Sequence, residues 1–170
     1  MIAGRRRAMS LLGLFSKKEK LPEVSNQNLV AVVKGEMIAP DQIEDKVFAN
    51  ETLGKTIGFI PSSNEFVSPC NGTLEVMFPT GHAFAIRMQD GTGVLVHIGI
   101  NTVDLQGRGF KVFAKQGAKV QAGQKIVEAD LAAIQAAGYS MTTMLIITEP
   151  TKDEYVFSSF GLKEKAEIIL

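Results

Sequence analysis

Residues 82–100 read HAFAIRMQDGTGVLVHIGI, two apolar runs joined by a short polar turn. The runs from Ala83 to Met88 and from Val94 to Ile100 are rich in aromatic and β-branched side chains, which favour strands. The Asp90-Gly91 pair between them is typical of a two-residue turn. This stretch therefore predicts an antiparallel β-hairpin.

Both histidines of the chain lie on the predicted hairpin. With the turn centred on the Asp-Gly pair, His82 is predicted to face Gly99, and His97 to face Phe84. Because side chains alternate along a strand, the two rings are expected on one sheet face, one diagonal step apart. A lone histidine on an apolar strand is usually a hydrogen-bonded core residue, but two on one face, among glycines and a threonine, indicate a functional pair.

Apolar runs of similar length recur on both sides of the hairpin, with glycine turns between them. These further predicted strands cover residues 29–33, 35–39, 56–60, 73–78, 124–128 and 144–147. One helix is predicted over 131–137, capped by Asp130 and ended by Gly138, with a second short turn over 42–48. The pattern predicts an all-β fold, an antiparallel β-sandwich or barrel-sandwich hybrid with one or two short helices.

The net charge of zero conceals two regions of opposite charge. Residues 1–20 hold six basic and one acidic residue, a charge of +5, so the rest carries twelve basic and seventeen acidic residues, or −5. An acidic body is a poor binder of nucleic acid and suits a basic protein partner. The single cysteine, Cys70, excludes a disulfide framework and a zinc ribbon.

The basic end is predicted to be a tail over residues 1–28, followed by one domain over 29–170. Within the tail, Leu11, Leu14 and Phe15 have helical spacing, so Met9 to Lys20 is interpreted either as an amphipathic helix on an anionic membrane or as an unstructured tail. The apolar run is far shorter than the ~20 residues of a membrane span.

A pair of histidines is compatible with three kinds of function. A zinc hydrolase would need a third ligand, such as Asp45, Asp90 or Asp104. Phosphoryl transfer would use one neutral ring as the nucleophile and the other as a hydrogen-bond donor to the incoming oxygens. A protein that only binds partners would keep the fold, and its interactions would not depend on chemistry at either histidine. No nucleotide-binding loop or serine elbow occurs, and no cofactor is expected.

Residues 94–103, VLVHIGINTV, followed by Leu105-x-Gly107-x-Gly109-Phe110, resemble the signature of the glucose-type IIA component of the bacterial phosphoenolpyruvate-dependent sugar phosphotransferase system. The resemblance covers about residues 30–150 and keeps the family's separation of 15 positions between the two histidines. Further matching segments are Thr80-Gly81-His82-Ala83-Phe84, Val47-Phe48-Ala49 and Pro69-x-Asn71-Gly72-Thr73.

The resemblance implies an antiparallel β-sandwich that carries a phosphoryl group on His97. In the family the donor is the phosphohistidine of the carrier protein HPr, and the recipient is a cysteine of the IIB domain of a sugar permease. His82 matches the histidine that hydrogen-bonds the phosphoryl group. Thr80 matches the threonine that orients this histidine. The resemblance therefore identifies a phosphotransferase component without a metal or cofactor, and a zinc-dependent hydrolase is the alternative.

The resemblance also implies a partner surface around the histidines. Its apolar positions are Phe48, Phe78 and Leu95, and Asp45 matches an acidic position near them. Asn101 stands where the glucose-type proteins commonly carry an aspartate, a departure that affects partner choice. The expectation is a stand-alone cytoplasmic phosphocarrier with HPr and a IIB domain as partners. Regulatory targets and membrane contact through the tail are further expectations, and nucleic acid is not an expected partner.

Overall fold

The computed structural model describes residues 19–170, so most of the predicted amphipathic segment 9–20 lies outside the described residues. This part of the chain forms eleven strands, two short α-helices and two 3-10 turns. The strands are β1 Gly35–Ile38, β2 Lys55–Pro61, β3 Glu65–Val67, β4 Gly72–Met77, β5 Ala83–Arg87, β6 Gly93–His97, β7 Phe110–Val112, β8 Lys119–Val120, β9 Lys125–Ala129, β10 Thr143–Glu149 and β11 Gly161–Lys163. The helices are α1 Lys46–Ala49 and α2 Leu131–Ala136, and the 3-10 turns are Pro40–Gln42 and Thr102–Leu105.

The strands form two antiparallel sheets. The larger has the order β11-β1-β2-β10-β6-β5-β4-β8, and the smaller has the order β3-β9-β7. One buried apolar cluster joins them, with Phe59 and Phe84 from the large sheet and Phe66 and Val127 from the small one. The predicted all-β sandwich with short helices is confirmed.

The predicted hairpin forms, but its register was wrong by one residue. Ala83 pairs with His97, and Phe84 pairs with Val96. The turn is a three-residue loop in which Gly91, at φ 91°, donates its N–H to the carbonyl of Met88. Such loops combine a tight turn with a left-handed residue, and the extra residue shifts every pair across the hairpin.

Several other elements differ from the sequence prediction. Residues 29–33 are buried but form no regular strand, because their backbone bonds to separate parts of the chain: Val30 N–H reaches the carbonyl of Pro69, and Ala31 N–H reaches that of Glu167. The turn predicted over 42–48 splits into the 3-10 turn at Pro40–Gln42 and helix α1. Strands β3, β7, β8 and β11 are too short to show a periodicity and were not predicted.

Helix α2 begins at the predicted residue and ends one residue earlier than predicted, at Ala136. The carboxylate of Asp130 accepts the N–H of Ala133 over 3.0 Å, and Gly138 follows the helix with φ 94°. The segment before the body, residues 19–28, is coil held by side chains: Asn71 donates to the carbonyl of Val24 over 2.9 Å. Within residues 19–170, the helices are too short and too polar to span a bilayer.

Candidate active site

The two histidines meet at one end of the central hairpin. His97 is the last residue of β6, and His82 directly precedes β5. Their ring centroids are 5.1 Å apart, with the ring planes at 80°. In the observed register, strict alternation would put the two side chains on opposite faces. They converge because His82 lies beyond the regular strand, after Gly81 at φ 73°, where the chain leaves a tight turn.

A backbone carbonyl fixes the orientation of the His97 ring. Nδ1–H donates to the carbonyl oxygen of Gly99 over 2.8 Å. Because a carbonyl only accepts, the neutral ring carries its proton on Nδ1 and its lone pair on Nε2. Gly99 has φ 75°, and a β-carbon there would collide with the methyl group of Thr102 and lie 2.9 Å from the carbonyl oxygen of Ser140. Only glycine fits this bend without displacing its neighbours.

The His82 ring is held by Thr80 and by an aromatic neighbour. The hydroxyl oxygen of Thr80 lies 2.5 Å from Nδ1 of His82, and the ring centroid of Phe78 lies 5.3 Å from that of His82. His82 is only 5% exposed, whereas His97 is partly exposed. The pair therefore opens to solvent mainly through His97.

Burial keeps both rings neutral near pH 7. It lowers the pKa of His97, although the bond to Gly99 and the charge of Asp45 act in the opposite direction. Burial also lowers the pKa of His82, and the neighbouring charge of His97 lowers it further. A neutral His97 has a free lone pair, so it is able to act as a nucleophile.

The predicted partner residues surround the pair to different degrees. The Phe48 ring lies 5.1 Å from the His97 ring, but Phe48 is only 8% exposed and packs in a small cluster that Leu95 borders. Phe78 is 39% exposed. The carboxylate of Asp45 accepts the N–H of Val47 at the start of α1, and Asn101 is exposed with φ 58°. The structure thus places Phe78 and Asn101 at the surface and Phe48 largely in packing.

Three residues beside the site were not singled out as candidates from the sequence. Val47 and Val103 are exposed apolar residues next to Phe48 and Thr102, and nothing in their sequence context separates them from core valines. The third is Glu44, whose carboxylate accepts the hydroxyl of Ser140 over 2.9 Å. That contact joins residues 96 positions apart, so no local motif announces it.

The described residues give the zinc alternative no support. Across residues 19–170, no group of three or more His, Cys, Asp or Glu side chains lies close enough to hold a metal ion. Asp90 instead accepts the N–H of Thr92 in the hairpin turn. Cys70 is fully buried, and burial raises the pKa of its thiol to about 12, so it is a packing residue.

Comparisons with known proteins identify the family of the chain. The family model of the phosphoenolpyruvate-dependent sugar phosphotransferase system, EIIA 1, matches residues 27–153. The glucose-specific EIIA component of Borreliella burgdorferi is 33% identical over 163 residues, 95% of this chain and 83% of its own length. The glucose permease IIA structure from Mycoplasma capricolum superposes with a TM-score of 0.81 at 34% identity, over 84% of this chain and 92% of its own.

Longer relatives contain a similar segment. The N-acetylglucosamine-specific EIICBA component of Escherichia coli is 38% identical over 155 residues, which are 91% of this chain and 23% of that protein. These matches extend across both sheets and both histidines. The chain belongs to the EIIA 1 family of the phosphoenolpyruvate-dependent sugar phosphotransferase system and is a phosphoryl carrier of that system.

Proposed function

We propose that Nε2 of His97 accepts a phosphoryl group from the phosphohistidine of HPr and passes it to a cysteine of a permease IIB domain. One observation carries this proposal: the bond from Nδ1–H to the Gly99 carbonyl leaves Nε2 as the nitrogen with the lone pair. Burial lowers the pKa of His97, which supports a neutral nucleophile at cytoplasmic pH.

The transfer consists of two displacements at phosphorus. Nε2 of His97 attacks, the bond between phosphorus and the HPr histidine breaks, and that ring keeps the electron pair and takes up a proton. A cysteine thiolate of IIB then attacks the same phosphorus and returns the electron pair to His97. The glucose-specific EIICBA component of Streptococcus pneumoniae is 42% identical to this chain over 122 residues, and its name supports a IIB domain as the recipient.

His82 is proposed to donate a hydrogen bond to the phosphoryl oxygens. When the Thr80 hydroxyl donates to Nδ1 of His82, the ring proton lies on Nε2, where it is available to an oxygen near His97. The 5.1 Å between the two ring centroids leaves both rings within reach of one phosphoryl group. Thr80 thereby orients His82.

We further propose that partners dock on the surface around the histidine pair. Phe78 offers exposed apolar area beside His82, Phe48 packs beside the His97 ring in the cluster that Leu95 borders, and Asp45 supplies negative charge. The charge of −5 on residues 21–170 favours a basic partner. Asn101 removes one charge that glucose-type relatives are expected to carry, so we infer a partner preference shifted from theirs.

Incubation with phosphoenolpyruvate, enzyme I and HPr tests the acceptor. The wild-type chain should gain one phosphate that is acid-labile and base-stable, as expected of a phosphohistidine, and His97→Ala should gain none. The matched control is His82→Gln, which keeps His97 and should still be labelled. Label on His97→Ala would overturn the assignment.

A chase with a IIB domain tests His82. Phosphorylated His82→Gln should pass its phosphoryl group on about 100-fold more slowly than wild type, because a donor to the developing charge is lost. The variant Thr80→Val keeps the ring but loses the hydroxyl, so it should slow the transfer less. Unchanged onward transfer in His82→Gln would refute the auxiliary role.

A further inference from the structure

Two segments that are distant from each other in sequence lie next to His97. Residues 43–49 bring Phe48, whose ring lies 5.1 Å from the His97 ring, and Asp45, whose charge acts on that ring. Residues 98–101 bring Gly99, whose carbonyl accepts Nδ1–H of His97. The geometry of the acceptor ring therefore depends on how these two segments are held relative to each other.

Ser140 contacts both segments. Its carbonyl oxygen accepts the N–H of Ile100 over 3.0 Å and would lie 2.9 Å from a β-carbon on Gly99, so it supports the bend that aims the Gly99 carbonyl. Its hydroxyl donates to Oε1 of Glu44 over 2.9 Å. Ser140 thus contacts both the backbone next to Gly99 and the segment that carries Asp45 and Phe48.

Thr142 strengthens the same junction. Its hydroxyl, on a side chain that is nearly buried, donates to the same Glu44 oxygen over 3.1 Å, and its N–H donates to the Ser140 hydroxyl over 3.2 Å. Burial raises the pKa of Glu44, but bonds from its own backbone, Ser140 and Thr142 lower it, and the net shift is downward. Glu44 is therefore ionised at neutral pH and accepts both hydroxyls.

We propose that Glu44 and Ser140 are positioning residues for His97, joining the segment of Asp45 and Phe48 to the segment of Gly99. This inference rests on the proposed role of His97 as the acceptor. Glu44 precedes Asp45 directly, so a displacement of Glu44 is transmitted to the cap of α1. Neither residue contacts the phosphoryl group; each acts through the placement of the ring.

A double-mutant cycle tests the junction. Glu44→Ala and Ser140→Ala should each slow phosphorylation by HPr roughly two- to fivefold, the effect of one partly exposed hydrogen bond on a rate. Because both remove the same bond, the double variant should be about as slow as the slower single variant. Glu44→Gln keeps an acceptor oxygen and should restore most of the rate. Glu23→Ala removes an exposed glutamate elsewhere and should have no effect.

The tautomer of His97 separates positioning from a general loss of stability. In wild type at alkaline pH, ¹⁵N NMR should show the proton on Nδ1 of His97. In Glu44→Ala and Ser140→Ala the Nε2–H form should appear, while Glu44→Gln and Glu23→Ala should keep the wild-type spectrum. An unchanged tautomer in the two alanine variants, or rates that multiply in the double variant, would overturn the proposal.

The two proposals fail in different ways. If wild-type His97 takes no phosphate, the proposed acceptor role is wrong, whatever the variants do. If wild type is phosphorylated on His97 and Glu44→Ala and Ser140→Ala behave as wild type in both rate and tautomer, only the positioning role is wrong.

Discussion

The Nδ1–H of His97 donates to a main-chain carbonyl, that of Gly99, over 2.8 Å. A carboxylate at this position would raise the basicity of the ring strongly and would itself titrate. A carbonyl raises the basicity of the ring less, and it does not titrate. The carbonyl still fixes the tautomer. His97 therefore combines a defined nucleophilic nitrogen with a pKa below the ordinary value, because burial outweighs the bond to Gly99 and the charge of Asp45.

The lowered pKa of His97 predicts how its protonation depends on pH. Because the folded pKa lies below the usual 6.5, the ring stays neutral until the solution is more acidic than that value, and phosphoryl acceptance is lost only there. An NMR titration of the His97 Cε1–H resonance measures the midpoint directly. A midpoint above the usual histidine value would contradict the burial argument.

The same shift has a consequence for stability. Between the lowered folded pKa of His97 and the unfolded value, the unfolded chain binds more protons, so the free energy of unfolding rises with pH across that window. Below the folded pKa both states are protonated, and the stabilising contribution has been lost. His82, whose pKa is lowered by burial and by His97, adds a contribution of the same sign.

The sequence pattern predicted that His82 and His97 converge, but it did not predict the hairpin geometry that brings them together. The convergence of His82 and His97 was predicted on one register of the hairpin, and it occurs in another, because Gly81 bends the chain before β5. A register depends on loop conformation, and a two-residue and a three-residue loop are both compatible with Asp90-Gly91. Contacts such as that of Glu44 with Ser140 depend on tertiary packing and left no local signal.

The bend that follows β6 depends on Gly99 having no side chain. Gly99→Ala should lower the free energy of unfolding by about 3 kcal/mol or more, because a positive φ is combined with a collision against Thr102 and Ser140. Gly117→Ala is the matched control: its φ is 88°, but nothing lies within 4 Å of the added carbon, so its cost should be about 1 kcal/mol. Urea unfolding measures both, and equal losses would contradict the packing argument.

Strand prediction succeeded where strands are central and failed where they lie at edges. The runs of β2, β5, β6 and β10 are long and apolar, and the structure has strands there. In contrast, β3, β7 and β11 have three residues each, and the buried run 29–33 meets several unrelated backbone partners instead of one strand. An apolar run indicates that its residues are buried. It does not indicate whether they lie in a paired strand or in irregular coil.

The separation of charge along the whole molecule predicts membrane contact through the tail. Residues 1–20 carry +5, and each basic residue near an anionic surface contributes about 1 kcal/mol to binding. The full chain should therefore co-sediment with phosphatidylserine vesicles at low salt, and a variant with Arg5, Arg6 and Arg7 all changed to Gln should bind much less. Vesicles of neutral lipid are the control. Equal binding of both chains would contradict the prediction.

We propose that one nitrogen atom of the protein, Nε2 of His97, carries the phosphoryl group. The most direct test is ³¹P and ¹⁵N NMR of ¹⁵N-labelled protein phosphorylated by enzyme I and HPr. The expected result is that the phosphorus couples to Nε2 of His97 while Nδ1 keeps its proton. Phosphorus bonded to Nδ1 of His97, or to either nitrogen of His82, would contradict it.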